Sequence, residues 1–116
     1  MKILIVDDDQ HIRLLYKEEL LEEGYDVDVA SSGMEALQLF DQNEYDLVTL
    51  DILMPDMDGI KVLRQMKEKK PRVPIIMSTA YDYRDDFAVW ASEAYIVKSA
   101  ELSELKEMIK TLLSKK

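Results

Sequence analysis

The sequence predicts an α/β domain in which a five-stranded parallel sheet is covered by helices on both faces. Short apolar runs alternate five times with helical patterns along the chain, and alternation of this kind is typical of a doubly wound parallel sheet. The chain has 116 residues, 47% of them hydrophobic and 34% charged, which is enough for one soluble globular domain with its own core. We therefore expect one domain over residues 1–116, with no linker, repeat or second domain.

Five apolar runs predict the strands. The second run alternates apolar with acidic residues, as a half-exposed edge strand does, whereas the others are nearly continuous, as buried parallel strands are. The third ends in a carboxylate. The fourth contains an early proline, and Ser78 and Thr79 follow at its tip. The predicted strands are Lys2–Val6, Tyr25–Ala30, Asp46–Asp51, Val73–Met77 and Ala94–Val97.

Helical patterns follow each strand. Asp9 is the expected N-cap of the first helix, over residues 10–23, and Gly24 suits its C-terminal cap. Ser32 and Glu35 form a capping box before the second helix. The third begins near residue 60, the fourth is a weak pattern over 84–92, and Ser99 is the expected cap of the last. The positions that mark the first, second, third and last helices are, in that order, Ile12, Leu15, Tyr16 and Leu20; Met34, Leu37, Leu39 and Phe40; Ile60, Val62, Leu63 and Met66, with Lys67; and Leu102, Leu105, Ile109 and Leu112.

Composition excludes several classes of function. The net charge of −9 disfavours direct binding to nucleic acid or to an anionic membrane, because phosphate groups would be repelled. The chain has no cysteine, which excludes disulfides, thiol catalysis and thiolate zinc sites. No signal peptide pattern precedes the first strand, and no apolar run approaches the roughly 18 residues of a membrane span. We expect a cytoplasmic protein.

Polar side chains gather at the carboxyl ends of the predicted strands. Asp7 and Asp8 follow strand one, Asp51 ends strand three, Thr79 follows strand four and Lys98 follows strand five. All these ends lie on one edge of a parallel sheet. In the flavodoxin-like order 2-1-3-4-5 the chain reverses direction between strands one and three, and ligands bind at that switch point. The three carboxylates should therefore meet in the crevice, flanked by the hydroxyl and the ammonium group.

This set of groups favours phosphoryl transfer. Three carboxylates in one cleft repel each other, so either a proton is retained or a cation is bound, and oxygen ligands without His or Cys point to Mg²⁺. Lys98 supplies a point charge for a phosphate and Thr79 supplies a hydroxyl donor. Charge neutralisation and positioning around an in-line attack are what phosphoryl transfer requires, with a carboxylate as nucleophile and an aspartyl-phosphate as product.

Each of these residues also has a purely structural interpretation. Asp7 suits a strand-end turn, Thr79 can bond the backbone at a strand end, and Lys98 alone is typical of a solvated lysine. His11 suits the surface of a first helical turn, and Trp90 and the methionines suit packing. Their coincidence on one edge is what favours the functional interpretation.

Four segments in order, I-L-I-V-D-D, L-D-I-L-M-P-D-M-D-G, S-T-A and Y-I-V-K, make the whole chain resemble the receiver domain of bacterial two-component response regulators. The resemblance implies a (βα)5 fold with strand order 2-1-3-4-5. It implies a stand-alone, chemotaxis-regulator-like response regulator without an output domain. Asp51 would accept a phosphoryl group from the phosphohistidine of a histidine kinase or phosphotransfer protein, and the aspartyl-phosphate would switch a surface that binds a downstream target protein.

The family pattern also implies a Mg²⁺ site. Asp8, Asp51 and the backbone carbonyl of Leu53 would bind Mg²⁺ directly, and Asp7 would act through a water molecule. No other cofactor is implied. Such a domain is not an enzyme in the usual sense, since it catalyses only its own phosphorylation and dephosphorylation.

Three further roles follow from the same pattern. Lys98 would pair with the phosphoryl group, Thr79 would move to hydrogen-bond it, and Tyr95 would swing inward behind Thr79. Leu53 and Tyr81 stand where the family tunes the rate of phosphate loss.

Two features depart from the family. Ser99 replaces the proline that usually follows the conserved lysine, often through a cis bond, and a cis bond before a residue other than proline costs about 3 kcal/mol. The run from Thr79 to Tyr95 is also a few residues short, which puts the fourth helix and the usual output surface in question.

Two other classes of function remain open on the sequence. One is a phosphate-independent adapter or flavin binder on the same fold, although the three glycines offer no glycine-rich phosphate loop. The other is a phosphatase of the haloacid-dehalogenase type with its nucleophile in Asp7-Asp8-Asp9. His11 does not fit that motif, and the length leaves no room for a cap domain.

Overall fold

The computed structural model describes residues 1–52, 54, 56, 58–79, 94–97 and 102–114, with the backbone alone for residues 79 and 94–97. Five parallel strands form one sheet in the order β2-β1-β3-β4-β5, which confirms the predicted architecture. Their bounds are β1 Lys2–Val6, β2 Asp26–Ala30, β3 Leu47–Asp51, β4 Ile75–Thr79 and β5 Ala94–Val97.

Four helices lie within the described residues: α1 Gln10–Glu22, α2 Gly33–Gln42, α3 Gly59–Lys69 and α4 Ser103–Leu113. The predicted weak helix over 84–92 lies outside those residues. In the same part of the chain, no helix is both long enough and apolar enough to cross a membrane.

The core has two halves, one on each face of the sheet. Successive strand residues point to opposite faces, so Leu4 and Leu50 pack with Phe40 of α2 and Leu63 of α3 on one side. The alternate strand residues pack with α1 and α4 on the other side; they include Ile3, Ile5, Leu47 and Ile76. Helices on both faces of the sheet were predicted, and the packing confirms them.

The caps of α1 are as predicted. The Asp9 carboxylate accepts a hydrogen bond of 2.9 Å from the backbone N–H of His11. At the other end Gly24 has a φ of +92°, the left-handed conformation that glycine adopts without strain. The N–H groups of Gly24 and Tyr25 donate to the carbonyls of Leu21 and Leu20, the paired bonds of a Schellman motif.

The capping box of α2 forms with one change of partner. Ser32 Oγ accepts from the N–H of Glu35 at 3.2 Å, as predicted. Glu35 Oε1 reaches back to the N–H of Ser31 at 2.7 Å rather than to that of Ser32.

The predicted start of β4 was wrong by two residues. The strand begins at Ile75, because Pro74 has no N–H to give to the ladder and contributes only its carbonyl, which accepts from Val48 N–H at 3.0 Å. Ser78 and Thr79 are therefore the last two residues of the strand and do not follow it.

Several details of the helix predictions were also wrong. Leu15 was expected to face the core but is 41% exposed, because α1 contacts the sheet through Tyr16 and Leu20. Met34 was also expected to face the core but is 65% exposed, because α2 buries Ala36 and Phe40 instead. In α4 it is Leu113, spaced four residues from Ile109, that is buried, while the expected Leu112 is only half-buried. The helix starts at Ser103 with Leu102 in the N-cap position. Ser99, the expected cap, lies outside the described residues.

Candidate functional site

Three carboxylates meet at the carboxyl edge of the sheet. Asp7 follows β1 and Asp51 ends β3, which are neighbouring strands, and one oxygen each of Asp7, Asp8 and Asp51 lies within 4.8 Å of the others. Asp7 and Asp51 are 2% and 4% exposed, whereas Asp8 is open to solvent. The structure thus brings together the three acids that were predicted to share the switch point of the sheet.

The backbone of Asp7 is fixed from two sides. Its N–H donates to the carbonyl of Ala30 at the end of β2, at 3.1 Å, and its carbonyl accepts from the Arg13 guanidinium of α1 at 2.8 Å. Its side chain accepts from the N–H of Asp9 at 2.9 Å. The direction of this buried carboxylate is therefore set by the turn that leads into α1.

Gly59 sets the backbone beyond Asp51. Its N–H donates to the Ile52 carbonyl at 2.8 Å. A Cβ at this position would overlap the backbone carbonyl oxygen of Asp51 and lie 2.6 Å from the Ile52 Cα. Only glycine allows the first turn of α3 to approach the end of β3 so closely.

Two acids of the β3–α3 connection hold helix N-termini. Asp58 caps its own helix, accepting from the Ile60 N–H at 2.9 Å. Asp56 instead caps α2, with its two carboxylate oxygens accepting from the N–H groups of Gly33 and Met34 at 3.0 Å each. Sequence reasoning missed this long-range cap. The available signal was the four N–H groups that every helix start leaves without an intrahelical partner.

The other predicted site residues are placed only in part. Leu53, Tyr81, Lys98 and Ser99 lie outside the described residues. For Thr79 and Tyr95 only the backbone is described: Thr79 is in register with Val97, the residue before Lys98, and Tyr95 is in register with Met77. The roles given to these side chains remain predictions.

Sequence reasoning gave no role to Ser78. It is 3% exposed and is the register partner of Asp51. Its Oγ is the one buried side-chain oxygen or nitrogen without a hydrogen-bond partner over the part of the chain that the structure describes.

The acid cluster has the chemistry of a site for a hard cation. Two ionised carboxylates about 5 Å apart repel by roughly 3 kcal/mol at an effective dielectric of about 20. A cation among the three relieves this repulsion. The donors are all carboxylate oxygens, the ligands that Mg²⁺ prefers, and solvent reaches the site beside Asp8. The residues present therefore fit a divalent cation.

Comparison with known proteins shows the family. Residues 3–110 match the model of the response regulator receiver domain. The chain is 36% identical over 115 residues to the alkaline phosphatase synthesis transcriptional regulatory protein PhoP of Bacillus subtilis. That match covers 97% of this chain and 48% of PhoP, so the chain spans about half the length of this relative.

Solved structures agree with this match. The response regulator protein TrrA of Thermotoga maritima, in complex with Mg²⁺-BeF, superposes with a TM-score of 0.93 at 50% identity, covering 96% of this chain and 97% of TrrA. A chain from the solved complex of the histidine kinase ThkA with TrrA superposes with a TM-score of 0.91 at 50% identity. The match covers 97% of this chain and 97% of that chain. The chain belongs to the response regulator receiver domain family.

Proposed function

We propose that this chain is a phosphorylation-switched signalling domain in which Asp51 accepts a phosphoryl group from the phosphohistidine of a histidine kinase or phosphotransfer protein. One observation carries the proposal. In a chain of the receiver family, a nearly buried carboxylate at the switch point of the sheet lies within 4.8 Å of two further acids.

The chemistry assigned to Asp51 is a displacement at phosphorus. A carboxylate oxygen of Asp51 attacks, the bond between phosphorus and the histidine nitrogen breaks, and the imidazole leaves with the electron pair and takes up a proton. Asp51 suits the nucleophile because β3 holds it at the edge of the sheet while Gly59 fixes the backbone behind it.

The cation assigned to the site is Mg²⁺. When bound it neutralises the charge that collects on the phosphoryl oxygens and on the acids. Asp8, Asp51 and the carbonyl of Leu53 are the proposed direct ligands, and Asp7 is the proposed partner through water. TrrA, which is similar in fold and half identical in sequence, was solved with Mg²⁺-BeF, in support of this assignment.

The output is assigned to a change of surface. Lys98 is the proposed partner of the phosphoryl group, and Thr79 and Tyr95 are the proposed switch that couples it to a surface for a downstream target protein. New bonds to the loaded aspartate bias a two-state element, which is how phosphorylation produces a distant effect. The domain assigned to residues 1–116 would catalyse only its own phosphorylation and dephosphorylation.

Partners and location are part of the same proposal. The solved complex of ThkA with TrrA supports a histidine kinase as donor. A cytoplasmic location fits, because phosphoryl donors made from ATP are found there. The net charge of −9 argues against nucleic acid and anionic membranes as direct partners of this domain.

The decisive experiment is incubation with acetyl phosphate and Mg²⁺ followed by mass spectrometry of the intact protein. Wild type should gain one phosphoryl group, and Asp51→Ala should gain none. Asp56→Ala is the matched control: it removes an acid from the same loop and should still gain the group. No gain in wild type would favour the phosphate-independent adapter. Turnover of a generic phosphate ester that is lost in Asp7→Asn would favour the phosphatase.

A further inference from the structure

Ser78 lies directly beside Asp51 in the sheet. The two residues are register partners on the neighbouring strands β4 and β3. Ile76 and Leu47 pack in the half of the core formed with α1 and α4, and because side chains alternate, Ser78 and Asp51 point to that same face. Adjacent strands lie about 4.8 Å apart, which is within reach of a serine hydroxyl.

Asp51 therefore has different neighbours on its two sides. On the β1 side lie Asp7 and Asp8, whose oxygens meet that of Asp51. On the β4 side lies Ser78, a neutral hydroxyl that can donate one hydrogen bond. A group attached to Asp51 would have the acids and their cation on one side and this donor on the other.

The hydroxyl of Ser78 is buried without a hydrogen bond among the residues that the structure describes. A buried hydroxyl without a partner is destabilising, and each such group in a native structure calls for an explanation, a role at a reactive site among them. The two preceding residues of β4 are apolar and fully buried: Ile76 lies on the same face of the sheet as Ser78, and Met77 lies on the opposite face. An apolar residue would fit this packing without that cost, so the hydroxyl calls for another explanation.

We propose that Ser78 is a positioning residue for the loaded form of Asp51. Its Oγ–H donates to the Asp51 side chain when that side chain carries the phosphoryl group, and it is left without a partner when the side chain does not. The hydroxyl then favours the loaded state over the unloaded state. This inference rests on the proposed function, and it adds to the site a donor that is distinct from Thr79.

The test is calorimetric titration with beryllium fluoride, a mimic of an aspartate-bound phosphoryl group, in the presence of Mg²⁺. Wild type, Ser78→Ala, Ser78→Thr and Thr49→Val are compared. Thr49→Val is the matched control because Thr49 is another buried hydroxyl residue on the same face, in register with Ile76. Melting curves without ligand and titration with Mg²⁺ alone are measured on each variant.

Ser78→Ala should bind beryllium fluoride about ten-fold more weakly than wild type or worse, the loss expected for one hydrogen bond to a charged group. Its affinity for Mg²⁺ alone should be unchanged, and its unliganded form should melt no lower than wild type. Ser78→Thr should recover binding, and Thr49→Val should bind as wild type does.

Three results would overturn the inference. If Ser78→Ala binds beryllium fluoride as tightly as wild type, Ser78 has no role in the loaded state, while the proposed function stands. If Ser78→Thr is weakened as much as Ser78→Ala, the position acts through packing and not through its hydroxyl. If wild type itself does not bind beryllium fluoride with Mg²⁺, the proposed function fails and the role of Ser78 fails with it.

Discussion

The two edges of the sheet use carboxylates in opposite ways. At the amino edge, around the starts of β1 and β3, acids are matched with donors. Asp28 accepts from the Tyr45 hydroxyl at 2.6 Å and lies 3.4 Å from the Lys2 ammonium, and Asp46 accepts from the Lys2 backbone N–H at 2.7 Å. At the carboxyl edge, Asp7, Asp8 and Asp51 face one another.

The first arrangement holds strands of the sheet together, and the second has the chemistry of a cation site. The hydrogen bonds and the ion pair at the amino edge tie β1 to β2 and to the residues just before β3. The carboxyl edge brings like charges together, an arrangement that becomes favourable when a cation is added. Both edges contain aspartates, and the groups that those aspartates face separate the structural site from the candidate functional one.

The largest expected effect tests the close approach of Gly59, at the start of α3, to the end of β3. Gly59→Ala forces a Cβ against the backbone of Asp51 and Ile52, which has no flexible side chain to give way. We expect a loss of about 3 kcal/mol in the free energy of unfolding, measured with urea. Gly24→Ala is the control. Its positive φ strains alanine, but nothing lies within 4 Å of the added Cβ, so its loss should be about 1 kcal/mol. Equal losses would show that the close approach at Gly59 is not what constrains the site.

A smaller effect tests the charge arrangement at the same edge. Mg²⁺ at about ten times its dissociation constant should stabilise the wild type by about 1.4 kcal/mol over its state in EDTA, since it binds the folded form. Asp8→Asn should abolish this stabilisation. Asp9→Asn, one residue further on, should keep it, because Asp9 caps α1 and lies outside the cluster. Thermal melting with and without Mg²⁺ measures both, and a loss of the Mg²⁺ effect in Asp9→Asn would contradict the assignment.

At the amino edge, the contribution to the free energy of unfolding should depend on alkaline pH and not on Mg²⁺. Burial, and then the hydrogen bond to Asp28, raise the pKa of Tyr45 above its usual value of 10.0. A pKa that is higher in the folded state gives stability that is complete below pH 10 and is lost as the pH rises above it, by about 1.4 kcal/mol for each unit. Tyr45→Phe should cost about 1 kcal/mol at pH 7 and should flatten this fall. Urea unfolding from pH 8 to 11 measures both, and an unchanged pH slope in Tyr45→Phe would show that Tyr45 ionises as freely in the folded state as in the unfolded one.

The smallest effect tests the tie between the site loop and α2. Asp56→Ala removes the acceptor for the N–H groups of Gly33 and Met34 at the start of α2. A lost N-cap of this kind costs about 1 kcal/mol or less at an exposed position. Amide hydrogen exchange should increase at Gly33 and Met34, whereas in Asp58→Ala it should increase at Ile60. Unchanged exchange at Gly33 in Asp56→Ala would contradict the long-range cap.

Local rules predicted the elements and the acid cluster well. The strand run Lys2–Val6, the N-cap at Asp9 and the acids at strand ends depend on nearest neighbours and on the geometry of parallel sheets, and the structure confirms them. What sequence reasoning missed depends on distant contacts. The Asp56 cap joins residues 22 and 23 apart, and the burial of Ser78 beside Asp51 depends on strand register. A local pattern can show that a helix start needs an acceptor, but it does not identify a distant residue as the partner.

The central claim is that Asp51, at the carboxyl edge of the sheet, is the residue that accepts the phosphoryl group. The most direct measurement locates the phosphoryl group by peptide mass spectrometry after treatment with acetyl phosphate and Mg²⁺. The account predicts modification of the peptide that carries Asp51, at Asp51 and only with Mg²⁺. Modification at Asp7 or Asp8 would indicate phosphatase-like chemistry at the first strand, and modification at Asp56 or Asp58 would place the acceptor on the loop; either result would contradict it.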